Sequence, residues 1–337
     1  MNAARFSFAR LTVAMVGCLV VALIAFVLAA AFGEQPIDFE QVRTPGSSAE
    51  LIFFSLRLPR VVLAALVGSA LAASGAMLQS LLRNPLADPF VLGVSGGAAL
   101  GATVALAFGL SALAWVPGLS PVSAFALLGA LSATVLVLLV GRLAGGNSPN
   151  TTLLAGVIFN AFALAAITFI KALVAPDRLG EILFWLAGSL GHEQWSTLAS
   201  TSVVVLLALA ALVVLSPRLN LLTLGEEDAQ SLGVDVQLTR RVALVTASVA
   251  VAAVVSLSGL VGFVGLLVPQ LARLLFGVDQ RISVPASALL GAAFLMLADL
   301  LARLLFRIFQ TEPPVGVITA LLGGPLFLAL MARQRQT

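Results

Sequence analysis

Long apolar stretches alternate with short polar connections along the chain, and ten such stretches stand out. They lie at roughly 11–32, 57–82, 91–110, 122–143, 151–173, 194–215, 240–257, 262–276, 284–306 and 314–332. A helix needs about 20 apolar residues to cross a bilayer core, and most of these stretches reach that length. Lipid offers no partner to an open backbone N–H or C=O, so each span is a helix or a strand of a closed barrel. Runs such as 19–31 and 202–215 are apolar on consecutive residues and lack the alternation of a barrel strand. The predicted fold class is therefore all-α: a polytopic integral membrane protein with about ten transmembrane helices, forming one domain over residues 1–337. The stretch at 262–276 opens Gly-Phe-Val-Gly and is short enough for a partial or strongly tilted span. Ten spans put both termini on one side.

Arginine placement suggests which side. With the N-terminus cytoplasmic, the inner set is Arg5, Arg10, Arg83, Arg142, Arg218, Arg240, Arg241, Arg273, Arg281, Arg333 and Arg335. The outer set is Arg43, Arg57, Arg60, Lys171, Arg178, Arg303 and Arg307, so eleven against seven favours both termini inside. Trp115, Trp185 and Trp195 then fall near outer ends, where amphipathic rings prefer to sit. Arg5 and Arg10 precede the first apolar run as in a signal peptide, but no small-residue cleavage site follows, and the run reads as a first span.

The longest inner connection, 217–240, has an acidic start at Glu226, Glu227 and Asp228 and a stop at Gly233, with Ala229 and Leu232 as an apolar face. That pattern suits one or two short helices lying against a partner, or equally a solvated loop helix. Small residues recur every fourth position at Gly93, Gly97 and Gly101, at Ala64, Gly68 and Ala72, and at Gly316, Ala320 and Gly324. Such faces let helix backbones approach closely.

Composition narrows the function. Of 337 residues, 60% are hydrophobic and 10% charged, with a mean hydropathy of +1.11, where soluble domains carry about 25% charged residues. The net charge of +3 is spread over scattered arginines with no basic tract, which argues against a nucleic-acid partner and for loop charges at a lipid surface. Cys18 is single, which excludes a disulfide framework, and His192 is the only histidine, so multi-histidine metal sites are excluded and no metal is expected. The only lysine, Lys171, has no glycine frame around it, so the chain holds no Walker-type nucleotide loop. Ionisable residues within the stretches are sparse, where ion-coupled carriers keep relays. Asp299 is the main exception, and Arg303 four residues on has the spacing of a structural ion pair. No paired carboxylates, histidine cluster or Ser-His pair suggests an enzyme. A secondary transporter driven by an ion gradient is the alternative reading, and a partner-powered passage the preferred one.

Eight stretches together resemble the FecCD family, the permease subunits of ATP-binding-cassette importers for iron-siderophores, haem and vitamin B12. They are Leu-Arg-Leu-Pro-Arg (56–60), Arg-Asn-Pro-Leu-Ala-Asp-Pro (83–89) with Leu-Gly-Val-Ser-Gly-Gly-Ala (92–98), Leu-Leu-Ala-Gly-Val (153–157) and Leu-Gly-Glu-Glu-Asp-Ala (224–229). Gly-Phe-Val-Gly-Leu-Leu-Val-Pro (262–269), Ala-Asp-Leu-Leu-Ala-Arg (298–303) and Pro-Val-Gly-Val-Ile-Thr-Ala (314–320) complete the set in the family's order. The resemblance implies a type II ABC importer permease fold in the bacterial inner membrane, with both termini cytoplasmic. It implies a homodimer, two cytoplasmic ATPase subunits that carry ATP and Mg, and a periplasmic substrate-binding protein, with no cofactor on this chain. On the same basis the 217–240 segment becomes the coupling region, with Leu224, Gly225, Glu226, Glu227, Asp228, Ala229, Leu232 and Gly233 at its centre. Arg57, Arg60 and Arg303 become outward-facing receptors for binding-protein glutamates, and Gly156, Val157, Asn160 and Phe162 candidate lining of the path. Gln270 and Gln280 stand where the family commonly has histidine.

Overall fold

The computed structural model describes residues 7–34, 38–110, 120–143 and 149–334, so Arg5, Trp115 and Arg335 lie outside the described residues. Every regular element among them is helical. Helix α1 spans Phe8–Ala31, and the short helices α2 (Phe39–Val42) and α3 (Ser48–Leu51) lead through a π-helical turn, Ile52–Arg57, into α4 (Leu58–Leu81). A 3₁₀ turn at Pro89–Leu92 precedes α5 (Val94–Ala107), then follow α6 (Pro121–Leu143), α7 (Pro149–Leu173), α8 (Pro176–Leu186) and α9 (Trp195–Leu224). The chain closes with α10 (Glu226–Ser231), α11 (Val236–Ser258), α12 (Val264–Phe276), α13 (Gln280–Phe309) and α14 (Val315–Gln334). Seven helices are long and apolar enough to cross a membrane and three more, α5, α12 and α14, are apolar but shorter, which accounts for all ten expected stretches.

Helix α4 is the axis of the bundle. Apart from Arg60 and Gln79 near its two ends it is apolar or small on all sides, and it is enclosed by α13, α9, α12 and α11, as expected of a helix without a polar face. Close approach depends on the small residues picked out by their spacing. A Cβ at Gly68 would overlap the Gly291 carbonyl across the α4–α13 contact, and one at Gly97 would overlap the Gly129 carbonyl across α5–α6. Without glycine these backbones would move apart and lose the packing that holds helices together in lipid.

Two departures from the sequence expectation have clear causes. The sixth stretch was expected to end near 215, with Pro217 opening a polar connection, but α9 continues through Pro217 to Leu224. Proline lacks the N–H that would reach Val213, and the Ser216 hydroxyl donates to the freed Val213 carbonyl instead at 2.7 Å. The connection therefore shrinks to 225–235, and the 217–240 segment contains two turns of α9, the six-residue α10 and the start of α11. The second departure is α8, an unpredicted helix between the fifth and sixth stretches, with Pro176 at its start and Asp177 in its first turn.

Candidate functional site

The described structure brings the expected site residues to three places. At the end of the bundle where α1 finishes and α4 begins, four arginines surround two carboxylates. Asp299, fully buried on α13, accepts from Arg60 Nε at 2.9 Å and Arg60 Nη2 at 2.8 Å. Its second oxygen lies 2.9 Å from Arg303 Nε, the expected i,i+4 ion pair, although the two are not aligned as a hydrogen bond. Glu312, in the α13–α14 connection and partly exposed, takes the other edge of the Arg60 fork.

The remaining guanidinium edges cap α1. Arg57 donates to the Ala30 and Ala31 carbonyls at 3.3 and 3.1 Å, and Arg303 to those of Ala29 and Phe32 at 3.0 and 3.2 Å. Arg307 extends the set to Gly33 and Glu34. The last carbonyls of a helix have no intrahelical donors, and cations there also oppose the negative end of the helix dipole. Arg57, Arg60 and Arg303, the trio expected to receive the binding protein, are 7%, 8% and 5% exposed and engaged with partners inside the chain. Their long stems pack among helices while their heads meet carbonyls and carboxylates. A motif at sequence level carries no sign of that burial.

At the opposite end, α10 is built as its sequence suggests. Glu226, Glu227 and Asp228 occupy its first turn and are exposed, complementing the positive end of the helix. Gly233 (φ +83°) terminates it: the Gly233 N–H bonds to the Gln230 carbonyl at 2.9 Å and the Val234 N–H to that of Ala229 at 3.0 Å. That pair of bonds is a Schellman motif, and its hydrophobic contact is supplied by the buried Ala229 and Val234. Leu232 does not share the buried face as expected; it stands 59% exposed, as does Leu224 at 63%, while Gly225 forms the hinge between α9 and α10. Glu226 pairs with Arg240 of α11 at 2.5 Å, and Arg83 at the end of α4 donates to the Leu222 carbonyl at 2.6 Å. Asn220 bridges to α13, donating to Asp279 at 2.7 Å and accepting from the Gln280 N–H at 2.8 Å. The segment is thus tied to α4, α11 and α13 at once.

The third place is a mostly apolar cavity of about 380 Å³ beside α7, lined by Asp88, Phe90, Val91, Val157, Asn160, Gly262, Phe263 and Leu266. Asn160 donates to the Phe90 carbonyl at 2.9 Å and accepts from the Gly96 N–H at 3.2 Å, fixing the 3₁₀ turn against α7. Of the four expected lining positions, Val157 and Asn160 reach this cavity. Gly156 instead packs against the 3₁₀ turn, where a Cβ would strike the Val91 carbonyl, and Phe162 is exposed on α7 and is not among the lining. Phe263, not anticipated from the sequence, stands on the wall in a left-handed conformation (φ +68°), rare for an aromatic residue. Gln270 and Gln280 have ordinary structural partners: Gln270 donates to the Pro85 carbonyl at 3.1 Å and Gln280 to that of Val278 at 3.1 Å.

Comparison with known proteins bears on what these places do. The FecCD transport family matches residues 19–333. The cobalamin import system permease protein BtuC of Halobacterium salinarum is 44% identical over 284 residues, covering 84% of this chain and 74% of that protein. The hemin transport system permease protein HmuU of Yersinia pestis is 39% identical over 327 residues, 96% of each chain. Among solved structures, one described as an inward-facing conformation of a metal-chelate type ABC transporter superposes with a TM-score of 0.84 at 32% identity, over 95% of this chain and 98% of its own. With the motifs, the helix order and these relatives in agreement along nearly the whole sequence, the chain belongs to the FecCD transport family.

Proposed function

We propose that this chain is the membrane permease subunit of an ATP-binding-cassette importer that carries a metal chelate inward across the bacterial inner membrane. Haem, a ferric siderophore and cobalamin are the cargo classes suggested by its relatives. One observation carries the reading above others: the likeness to the metal-chelate type transporter runs over 95% of the chain at 32% identity. Two copies form one path, two cytoplasmic ATPase subunits bind ATP and Mg, and a periplasmic protein delivers the cargo. Both termini are cytoplasmic, so α10 faces the ATPase.

Several features of the geometry support this reading. Helix α7 has only 17% of its apolar window buried within the chain, and its exposed Leu154, Val157, Ile158 and Phe162 call for a second copy or lipid to cover them. The cavity carrying Val157 and Asn160 opens beside this helix and gives the path an apolar wall with few hydrogen-bonding groups, suited to a bulky cargo. Exposed Glu227, Asp228, Leu224 and Leu232 offer the ATPase a mixed acidic and apolar patch on a rigidly tethered element. At the periplasmic end, Arg60 is the trio member that an incoming carboxylate reaches, by competing with the partly exposed Glu312; Arg57 and Arg303 supply positive potential beneath it.

Co-purification tests the coupling assignment. Reversing charge at Glu227 and Asp228, which are exposed and outside the Arg240 pair, should release the ATPase while leaving the permease inserted. Wild-type retention of the ATPase by that variant would overturn the assignment.

A further inference from the structure

One cluster of charge includes two arginines, Arg142 and Arg241, that have no part in the docking, coupling or path assignments. At the α10 end of the bundle, Leu138, Gly141 and Arg142 of α6, Thr152 of α7, and Gln237, Arg240, Arg241 and Leu244 of α11 line a single cleft. Three arginines are among its lining, and no acidic residue is among the described residues that line it. Arg240 is buried and held by Glu226, whereas Arg142 and Arg241 are exposed. Like charges repel, and a cleft that gathers the exposed Arg142 and Arg241 from two helices beside the paired Arg240 gains from an anion placed between them.

The surroundings say which anion. On α6, exposed Val135 and Leu139 run in line with Arg142 at helical spacing; on α11, Val245 runs in line with Arg241 in the same way. Both stripes lead from the arginines toward the middle of the bundle, and Leu138 and Leu244 form the apolar side of the cleft between them. A cationic rim over an apolar wall matches a molecule with an anionic head and hydrocarbon tails. Arginine presents a planar fork to phosphate oxygens, and Thr152 and Gln237 add neutral hydrogen-bonding groups beside it.

We propose that this cleft, formed where the ends of α6, α7 and α11 meet the membrane boundary, is a binding site for the phosphate headgroup of an anionic phospholipid. The site requires that the bundle span a bilayer and does not depend on which cargo is carried. Basic recesses between membrane helices at a headgroup surface are suited to such lipids. Lipid bound there would bridge α6 and α11 and brace Arg240, the residue that tethers α10.

The test is native mass spectrometry of the purified permease titrated with phosphatidylglycerol, with phosphatidylcholine and inorganic phosphate as parallel probes. Wild-type protein should retain phosphatidylglycerol in preference to phosphatidylcholine, and should hold inorganic phosphate far more weakly. Each exposed arginine is worth roughly fivefold in affinity, so the Arg142→Gln/Arg241→Gln double variant should bind phosphatidylglycerol about 25-fold more weakly. Thermal unfolding in lipid-free detergent should be alike for the two proteins, and added phosphatidylglycerol should stabilise only the wild type. Equal retention of phosphatidylcholine, or inorganic phosphate held as tightly as lipid, would overturn the assignment. So would a double variant that keeps its lipid but loses the ATPase, which would make these arginines a protein contact.

Discussion

Replacing Asp299 with asparagine removes one charge from the centre of the arginine cluster while keeping the side chain's shape. The carboxylate is fully buried, bonded twice to Arg60 at 2.9 and 2.8 Å, and 2.9 Å from Arg303. Removing one member of a buried ion pair costs about 3–5 kcal/mol, because the partner is left charged in a poor solvent. Here Arg60 keeps Glu312, and Arg303 keeps the Ala29 and Phe32 carbonyls, so the loss belongs at the lower end, about 3 kcal/mol. Equilibrium unfolding of wild type and Asp299→Asn in mixed micelles measures it directly. Adding Arg303→Met to the variant removes a cation that has lost its counter-charge, so the double change should cost at least about 1 kcal/mol less than the two single costs summed. A loss below about 1 kcal/mol for Asp299→Asn, or additive single and double costs, would refute the view that this carboxylate holds the cluster together.

Other outcomes follow from the same geometry. Gly233→Ala forces a side chain into the left-handed end of α10 and should weaken that end by about 1–2 kcal/mol, read as faster amide exchange over 226–235 with the rest of the chain unchanged. Burial pushes the Glu193 carboxyl, in the α8–α9 connection, from its ordinary 4.5 up to about 7. The fold then holds the extra proton between those values, so this group lowers stability as pH rises through the window and has no further effect above it. Glu193→Gln should flatten the decline in melting temperature from pH 5 to 7, and unchanged slopes would contradict the burial. Glu312→Gln weakens the inner competitor for Arg60 and should tighten the binding protein several-fold in a titration; unchanged affinity would count against Arg60 as the docking contact.

The membrane fold was legible because lipid imposes a simple rule on sequence, and each of the ten apolar stretches became an apolar helix. Local chemistry was legible too. The Asp299–Arg303 spacing announced an ion pair, Gly233 announced the end of α10, and the four-residue recurrence of small residues marked the α4–α13 and α5–α6 contacts. What escaped was set by partners far along the chain. Arg60 meets Asp299 across 239 residues and Arg303 meets Ala29 across 274, so nothing near these arginines signalled that the first is buried against a carboxylate and the second caps α1. Helix α9 passed its expected end because a single hydroxyl, Ser216, satisfies the carbonyl that Pro217 abandons. The α8 helix carried usable signals in Pro176 and Asp177, hidden by the expectation of a plain loop between two spans.

Uptake into sealed vesicles tests the importer reading most directly. Vesicles holding this chain with its ATPase, supplied with the binding protein loaded with a metal chelate and with internal ATP, should accumulate the chelate, and should stop when the ATPase is omitted. Accumulation by this polypeptide alone, driven by a proton or sodium gradient, would contradict a partner-powered permease and support the gradient-driven alternative.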